Sequence, residues 1–272
     1  MTYAITAVVL FLVIGLAIRL LEPKLLYHPS PLEAGAIDSL KQAVGDGGDR
    51  YEEVDFVAED GVRVTGWLGT PKEPRGTLLW FHGNAGSVAH RWGDFTAFVR
   101  DLGLRTLIVD YRGYGRSEGS PGEAGLYLDA RAALDFLGKR GVDSKDVWVL
   151  GRSLGGAVAV ELATARPVKG LVLESTFTSA PAMGRAMLPF FPVSWFIRSR
   201  FDSETRIATL DLPILLFHGR DDRIVPFSHA ENLAAAAKAG NLTLVPVESD
   251  HNDLSMRLGK AYFDRVGDFL AK

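Results

Sequence analysis

From Tyr51 onward the sequence alternates between two kinds of segment, and this alternation constrains the fold more than any other feature. Eight apolar, β-branched runs recur: YEEVDFVA (51–58), VRVTGWLG (62–69), TLLWFH (77–82), RTLIVD (105–110), DVWVLG (146–151), GLVLES (170–175), PILLFHG (213–219) and LTLVPV (242–247). The first two alternate apolar and polar positions around Glu59-Asp60-Gly61, which predicts a hairpin. The later runs are almost continuously apolar, as parallel strands covered on both faces must be. Helical patterns lie between them over 87–102, 123–140, 154–165, 226–239 and 252–271. Strands separated by helices are joined by right-handed crossovers. The expected class is therefore α/β, with a doubly wound, mostly parallel sheet of eight strands. Sites in such sheets form at the carboxyl ends of the strands.

The first segment has a different character. Residues 3–21, YAITAVVLFLVIGLAIRLL, are apolar on every face except at Arg19. About 20 such residues span a bilayer as a helix, and an arginine near its end snorkels to the interface. A cleaved signal peptide is the other reading, but no basic stretch precedes the run and no small-residue cleavage pattern follows it. Residues 1–22 are read as a membrane anchor and 23–50 as a linker. The linker carries Pro29, Pro31, Gly45, Gly47 and Gly48, with one short amphipathic turn over 32–44. Residues 51–272 are read as one α/β domain. Arg19 and Lys24 follow the apolar run and no basic residue precedes it, so the positive-inside rule puts the domain in the cytoplasm.

Composition excludes several classes. At 47% hydrophobic, the 272 residues can bury a large core. The net charge of -3, with no basic tract, gives no reason to expect a nucleic-acid partner. With no cysteine there is no disulfide framework, thiol nucleophile or cysteine-ligated zinc. Paired histidines at metal spacing and a phosphate loop are also lacking, so neither a metal nor another cofactor is expected.

Two segments match G-x-S-x-G. In Gly151-Arg152-Ser153-Leu154-Gly155 a strand run enters the serine and an alanine-rich helical run leaves it at once. This is what a nucleophile elbow requires, with glycines where side chains would strike the adjoining strand and helix. In Gly115-Arg116-Ser117-Glu118-Gly119 the serine lies several residues past its strand, and Pro121 and Gly122 follow. Ser153 is the candidate nucleophile, and Ser117 is read as a loop residue. An ordinary helix-capping serine at 153 would not need glycine on both sides.

In this arrangement the acid and then the base follow the nucleophile along the chain. Three histidines remain. His218 lies in a strand end, and His229 is read as a surface residue of a helix. His251 follows the last strand on a loop and is the candidate base. The acid should follow the preceding strand, where Asp221 and Asp222 both qualify. Asp250 adjoins His251, but sequence neighbours rarely face each other. The turn His82-Gly83-Asn84-Ala85-Gly86-Ser87 closes the third strand, and the N–H groups of Asn84 and Leu154 are the expected oxyanion donors.

Together HGNAGS, DYRGYGRSEGSP, GRSLGG, LESTFTS and HGRDDRIVPFSHA, with His251, resemble the α/β-hydrolases over nearly the whole chain. More narrowly, the apolar first helix followed by LLYHP (25–29) is similar to membrane-anchored serine hydrolases. That family includes carboxylesterases, acylglycerol lipases and depalmitoylases. The resemblance implies an α/β-hydrolase fold and places the acid at the fifth residue of H-G-x-x-D, Asp222. The implied reaction is cleavage of an ester or thioester of a small molecule or lipid. An amide hydrolase and a catalytically silent membrane-bound scaffold are the competing readings. Segment 176–210 is expected to form a short cap, and its Phe190, Phe191 and Trp195 are candidates for an acyl-binding wall or a membrane-facing patch. Plain packing of the cap onto the sheet would need the same residues.

Overall fold

The hydrophobic runs pair as their patterns require. In the computed structural model, which describes residues 2–32 and 48–271, they form one eight-stranded sheet. The strands are β2 (Arg50–Val57), β3 (Arg63–Thr70), β4 (Gly76–Phe81), β6 (Leu104–Asp110), β7 (Val147–Arg152), β8 (Gly170–Glu174), β9 (Ile214–Gly219) and β10 (Leu242–Val247). Their order is β10-β9-β8-β7-β4-β6-β3-β2. Strand β3 is antiparallel to both β2 and β6, and every other pairing is parallel. At the β2–β3 turn Gly61 adopts a φ of +85°, which only glycine takes freely.

Side chains alternate between the two faces of the sheet and build two cores. Leu79, Phe81, Val149, Leu173 and Leu216 face one way, under α3 (Glu123–Lys139) and α4 (Leu154–Ala165). Leu78, Trp80, Trp148, Leu150 and Phe217 face the other, under α2 (Trp92–Arg100) and α9 (Lys260–Leu270). Helix α4 is apolar all round because it is enclosed, with residues 154–163 buried. Further short helices flank the sheet, among them α5 (Ala180–Met187), α6 (Ser203–Ile207) and α7 (Ser228–Ala236). The single helix expected over 252–271 is two, α8 (Leu254–Leu258) and α9, because Gly259 takes a φ of +54° between them.

Helix α1 (Thr2–Leu26) has 25 residues and continues past residue 22 through Pro23. It is therefore about 38 Å long, more than the roughly 30 Å of a bilayer's apolar layer. Nearly all of it is exposed, with Gly15 and Glu22 buried. The segment after it is not a free linker. Residues β1 (His28–Pro29) pair in parallel with β5 (Ala85–Gly86), and Pro31 bridges to Gly115. The expected turn over 32–44 falls outside the described residues, apart from Leu32.

Candidate active site

Strand β7 ends at Arg152 and helix α4 starts at Leu154, so Ser153 must reverse the chain alone. It does so at φ +52° and ψ −116°, a conformation that costs a non-glycine residue about 1–3 kcal/mol. Hydrogen bonds hold it there: Ser153 N donates to Glu174 O at 2.8 Å, and Thr176 Oγ1 donates to Ser153 O at 2.9 Å. The flanking glycines have steric causes. A Cβ on Gly151 would sit 2.3 Å from Gly155 O, and one on Gly155 would sit 2.1 Å from Phe81 O. A side chain at either position would force the elbow apart.

His251 and Asp222 reach this elbow from the loops that follow β10 and β9. His251 Nε2 lies 3.1 Å from Ser153 Oγ, and His251 Nδ1 lies 2.8 Å from Asp222 Oδ2. All three side chains are almost fully buried. The second carboxylate oxygen of Asp222 accepts from Ile224 N at 2.9 Å and Val225 N at 2.7 Å, which fixes its plane. Asp221 is exposed on the opposite side of the same turn. Asp250 points away and pairs with Arg223, while its Oδ1 accepts from His251 N at 2.8 Å. That backbone donor, then the backbone and side chain of Arg223, hold the Asp250 carboxyl down at about 2.

The other two histidines that follow Ser153 in the chain bond within the fold. His218 lies behind Asp222, with Nε2 donating to Val225 O at 2.8 Å, and burial pushes its pKa down. His229 is buried, contrary to the surface position expected of it. Its Nδ1 lies 2.9 Å from Thr178 Oγ1 and accepts from Thr178 N at 3.2 Å, tying α7 to the start of the cap. Ser117 is a loop fastener: Oγ donates to Asp110 O at 2.6 Å and accepts from Thr65 N at 2.8 Å.

The turn after β4 passes directly over the serine, since a Cβ on Gly83 would come within 3.5 Å of Ser153 Cβ. Leu154 N–H is the first of its helix and Asn84 N–H belongs to this turn. Neither has an acceptor among the described residues. Asn84 is held on both sides. Its Nδ2 donates to Leu26 O at 3.1 Å, and its carbonyl accepts from Tyr114 Oη at 2.7 Å and His28 N at 2.9 Å. The end of α1 thus rests on the turn that presents the Asn84 amide.

Phe190, Phe191 and Trp195 lie on the cap, where the rings of Phe191 and Trp195 meet Phe11 of the first helix. Phe190 is fully exposed and Trp195 is 75% exposed. The ring of Phe11 in α1 lies 5.3 Å from Phe191, 5.4 Å from Phe196 and 6.4 Å from Trp195. Gly15 admits the Phe196 ring, which a Cβ there would strike at 2.0 Å. Glu22 accepts from Arg198 N and Ser199 N, each at 2.7 Å, and Glu123 from Arg200 N at 2.6 Å and Phe201 N at 2.7 Å. Two carboxylates therefore hold four consecutive amides of the cap, one from α1 and one from α3. The sequence reading passed over Arg152 and Glu174, charged residues at the carboxyl ends of β7 and β8; their place beside the elbow was the available signal.

Residues 72–201 match the family model described as serine aminopeptidase, S33. An alpha/beta hydrolase domain-containing protein of Arabidopsis thaliana, WAV2, is 37% identical over 245 residues, covering 82% of this chain and 79% of that protein. An uncharacterized protein of Mycobacterium tuberculosis is 36% identical over 255 residues, 92% of this chain and 88% of its own. Among solved structures, an esterase of Pyrococcus furiosus superposes with a TM-score of 0.71 at 22% identity, over 90% of this chain and 97% of the esterase. At that identity the likeness is one of fold.

Proposed function

Since this chain belongs to the α/β-hydrolase superfamily, we propose that it is a serine hydrolase cleaving carboxylic esters or thioesters, with Ser153, His251 and Asp222 as its triad. The observation that carries this reading is the continuous hydrogen-bonded line from Ser153 Oγ through His251 to Asp222. His251 takes the hydroxyl proton as Oγ attacks the carbonyl carbon, and Asp222 holds the imidazolium in place. The oxyanion is received by the N–H groups of Asn84 and Leu154. Collapse breaks the bond to the leaving group, which takes the proton from His251. Water then attacks the acyl-enzyme by the same route and restores Ser153.

Two features support a lipophilic substrate taken at a membrane surface. Helix α1 is long and apolar enough to cross a bilayer, and Met187, Leu188, Phe190 and Trp195 are exposed on the cap beside it. Arg19 and Lys24 on the domain side of α1 favour a cytoplasmic catalytic domain. The match to a serine aminopeptidase model keeps an amide hydrolase as the second reading. Labelling with a fluorophosphonate, followed by p-nitrophenyl acyl esters against aminoacyl anilides, separates the possibilities. Labelling at Ser153 with ester turnover is expected. An unlabelled protein would overturn the serine mechanism, and faster anilide cleavage would favour the second reading.

A further inference from the structure

A cavity of about 520 Å³ is lined by His90, Arg91, Asp94, Arg152, Asn252, Ser255 and Met256. It is joined to the triad through the backbone. Arg152 directly precedes Ser153, Asn252 directly follows His251, and Arg152 Nη2 donates to His251 O at 3.4 Å.

The two arginines are unusual in this molecule. Buried Arg112 is paired with both Asp60 and Asp129. Among the described residues, by contrast, neither Arg91 nor Arg152 has a carboxylate at ion-pair distance. Arg91 Nη2 donates only to Ala85 O at 3.1 Å, and its Nε is buried without a partner. Each nearby acid bonds a group other than these arginines, and Asp94 does so from within the cavity wall. Asp94 accepts from Ser255 Oγ at 3.3 Å, Asp110 accepts from Val88 N at 2.8 Å, and Glu174 is bonded by the Tyr262 hydroxyl. Burial also pushes the Glu174 carboxyl pKa up, and burial and then Arg152 push the Arg91 pKa down. Two guanidinium groups thus share one cavity with unfilled donor positions, an arrangement that an oxyanion with a planar or tetrahedral set of acceptors satisfies.

We infer that this cavity is a subsite for an anionic oxygen group, phosphate or carboxylate, on the leaving-group portion of the substrate. The side is set by His251, which hands its proton to the leaving oxygen and whose backbone forms the junction with the cavity. The substrate class is then an acyl ester whose alcohol carries negative charge. The assignment of a substrate rests on the serine-hydrolase reading; the anion site itself does not.

The full chain in detergent micelles is given 1-acylglycerol and 1-acylglycerol 3-phosphate with the same acyl chain. The phosphate ester should be preferred by about tenfold or more in kcat/KM, the worth of one or two charged hydrogen bonds. Arg91→Gln should remove most of that preference, and Arg91→Lys should keep more of it than Arg91→Gln does. Equal rates in the parent protein, or a preference that survives Arg91→Gln, would overturn the subsite. If neither ester is cleaved and Ser153 takes no fluorophosphonate label, the hydrolase reading fails instead. Calorimetric titration with inorganic phosphate then decides the anion site separately. Saturable binding, weakened about tenfold in Arg91→Gln, supports it. No heat in the parent protein, or equal binding in the variant, removes it.

Discussion

Ser153 illustrates what a residue contributes when its surroundings fix it. Its strained backbone is held by Glu174 and Thr176, and its hydroxyl meets an imidazole that Asp222 already orients. Ser153→Ala should therefore leave the fold intact and lower kcat for ester hydrolysis by about 10³ or more; thermal unfolding and turnover of p-nitrophenyl butyrate check the two halves. The neighbouring aspartates give a sharper contrast. Asp222 is buried with both oxygens bonded, whereas Asp221 faces solvent. Asp222→Asn should cost on the order of 10⁴ in kcat, and Asp221→Asn no more than about twofold. The reverse ranking would move the acid by one position. The sequence offered both aspartates on one turn, and only the family resemblance chose between them, because turn geometry decides which carboxylate points inward. His229 was misread for a related reason. On α7 it lies next to buried Ala230 and one turn before Leu233, a position the surface reading did not weigh, and its partner Thr178 is 51 residues away in the chain.

At the scale of elements, the strands were legible because parallel strands covered on both faces need uninterrupted apolar runs, and few other structures do. The break at Gly259 was not, since the amphipathic pattern continues across it while the backbone reverses. The cap was read without its partner. In sequence its aromatic residues suit a pocket wall, a membrane-facing patch or plain packing, and no local pattern announces that Phe191, Trp195 and Phe196 meet α1. Glu22 is the clearest link between the two, a nearly buried carboxylate accepting from the amides of Arg198 and Ser199. Glu22→Ala would leave two amides unsatisfied, at a local cost of about 1–3 kcal/mol. Trypsin should then cut after Arg198 and Arg200 faster than in the parent protein, with the unfolding midpoint of the sheet domain little changed. Unaltered cleavage there would mean that Glu123 and the aromatic contacts hold the cap without help.

For the whole molecule, the sheet, the elbow and the apolar helix could all be read from the chain, whereas the way the helix sits on the domain could not. Residues 27–32 are stitched to the domain by β1–β5 pairing and the Pro31–Gly115 bridge, with little in their composition to say so. If, as proposed, α1 anchors a hydrolase in a bilayer, the exposed aromatic residues on the cap beside it should favour long acyl chains. Each added methylene that leaves water contributes at most about 0.8 kcal/mol. In p-nitrophenyl esters, kcat/KM should accordingly rise from acetate to at least octanoate; a steady fall from acetate would show that the cap aromatics serve packing alone.

The bond from Asn84 Nδ2 to Leu26 O, together with the Phe11 and Gly15 contacts to the cap, gives the first helix a rotational phase as well as a length. Each residue of an α-helix turns its axis by about 100° and advances it by 1.5 Å. One alanine inserted between Ile18 and Arg19 would leave Glu22 and Leu26 in place but swing Phe11 and Gly15 about 100° round the helix axis, off the cap. Two such residues would bring them further out of phase, and about four would return the face to the cap one turn higher. Trypsin sensitivity at Arg198 and acyl-ester turnover should follow that cycle rather than fall steadily with added length. A monotonic response would mean that the helix serves only as a tether.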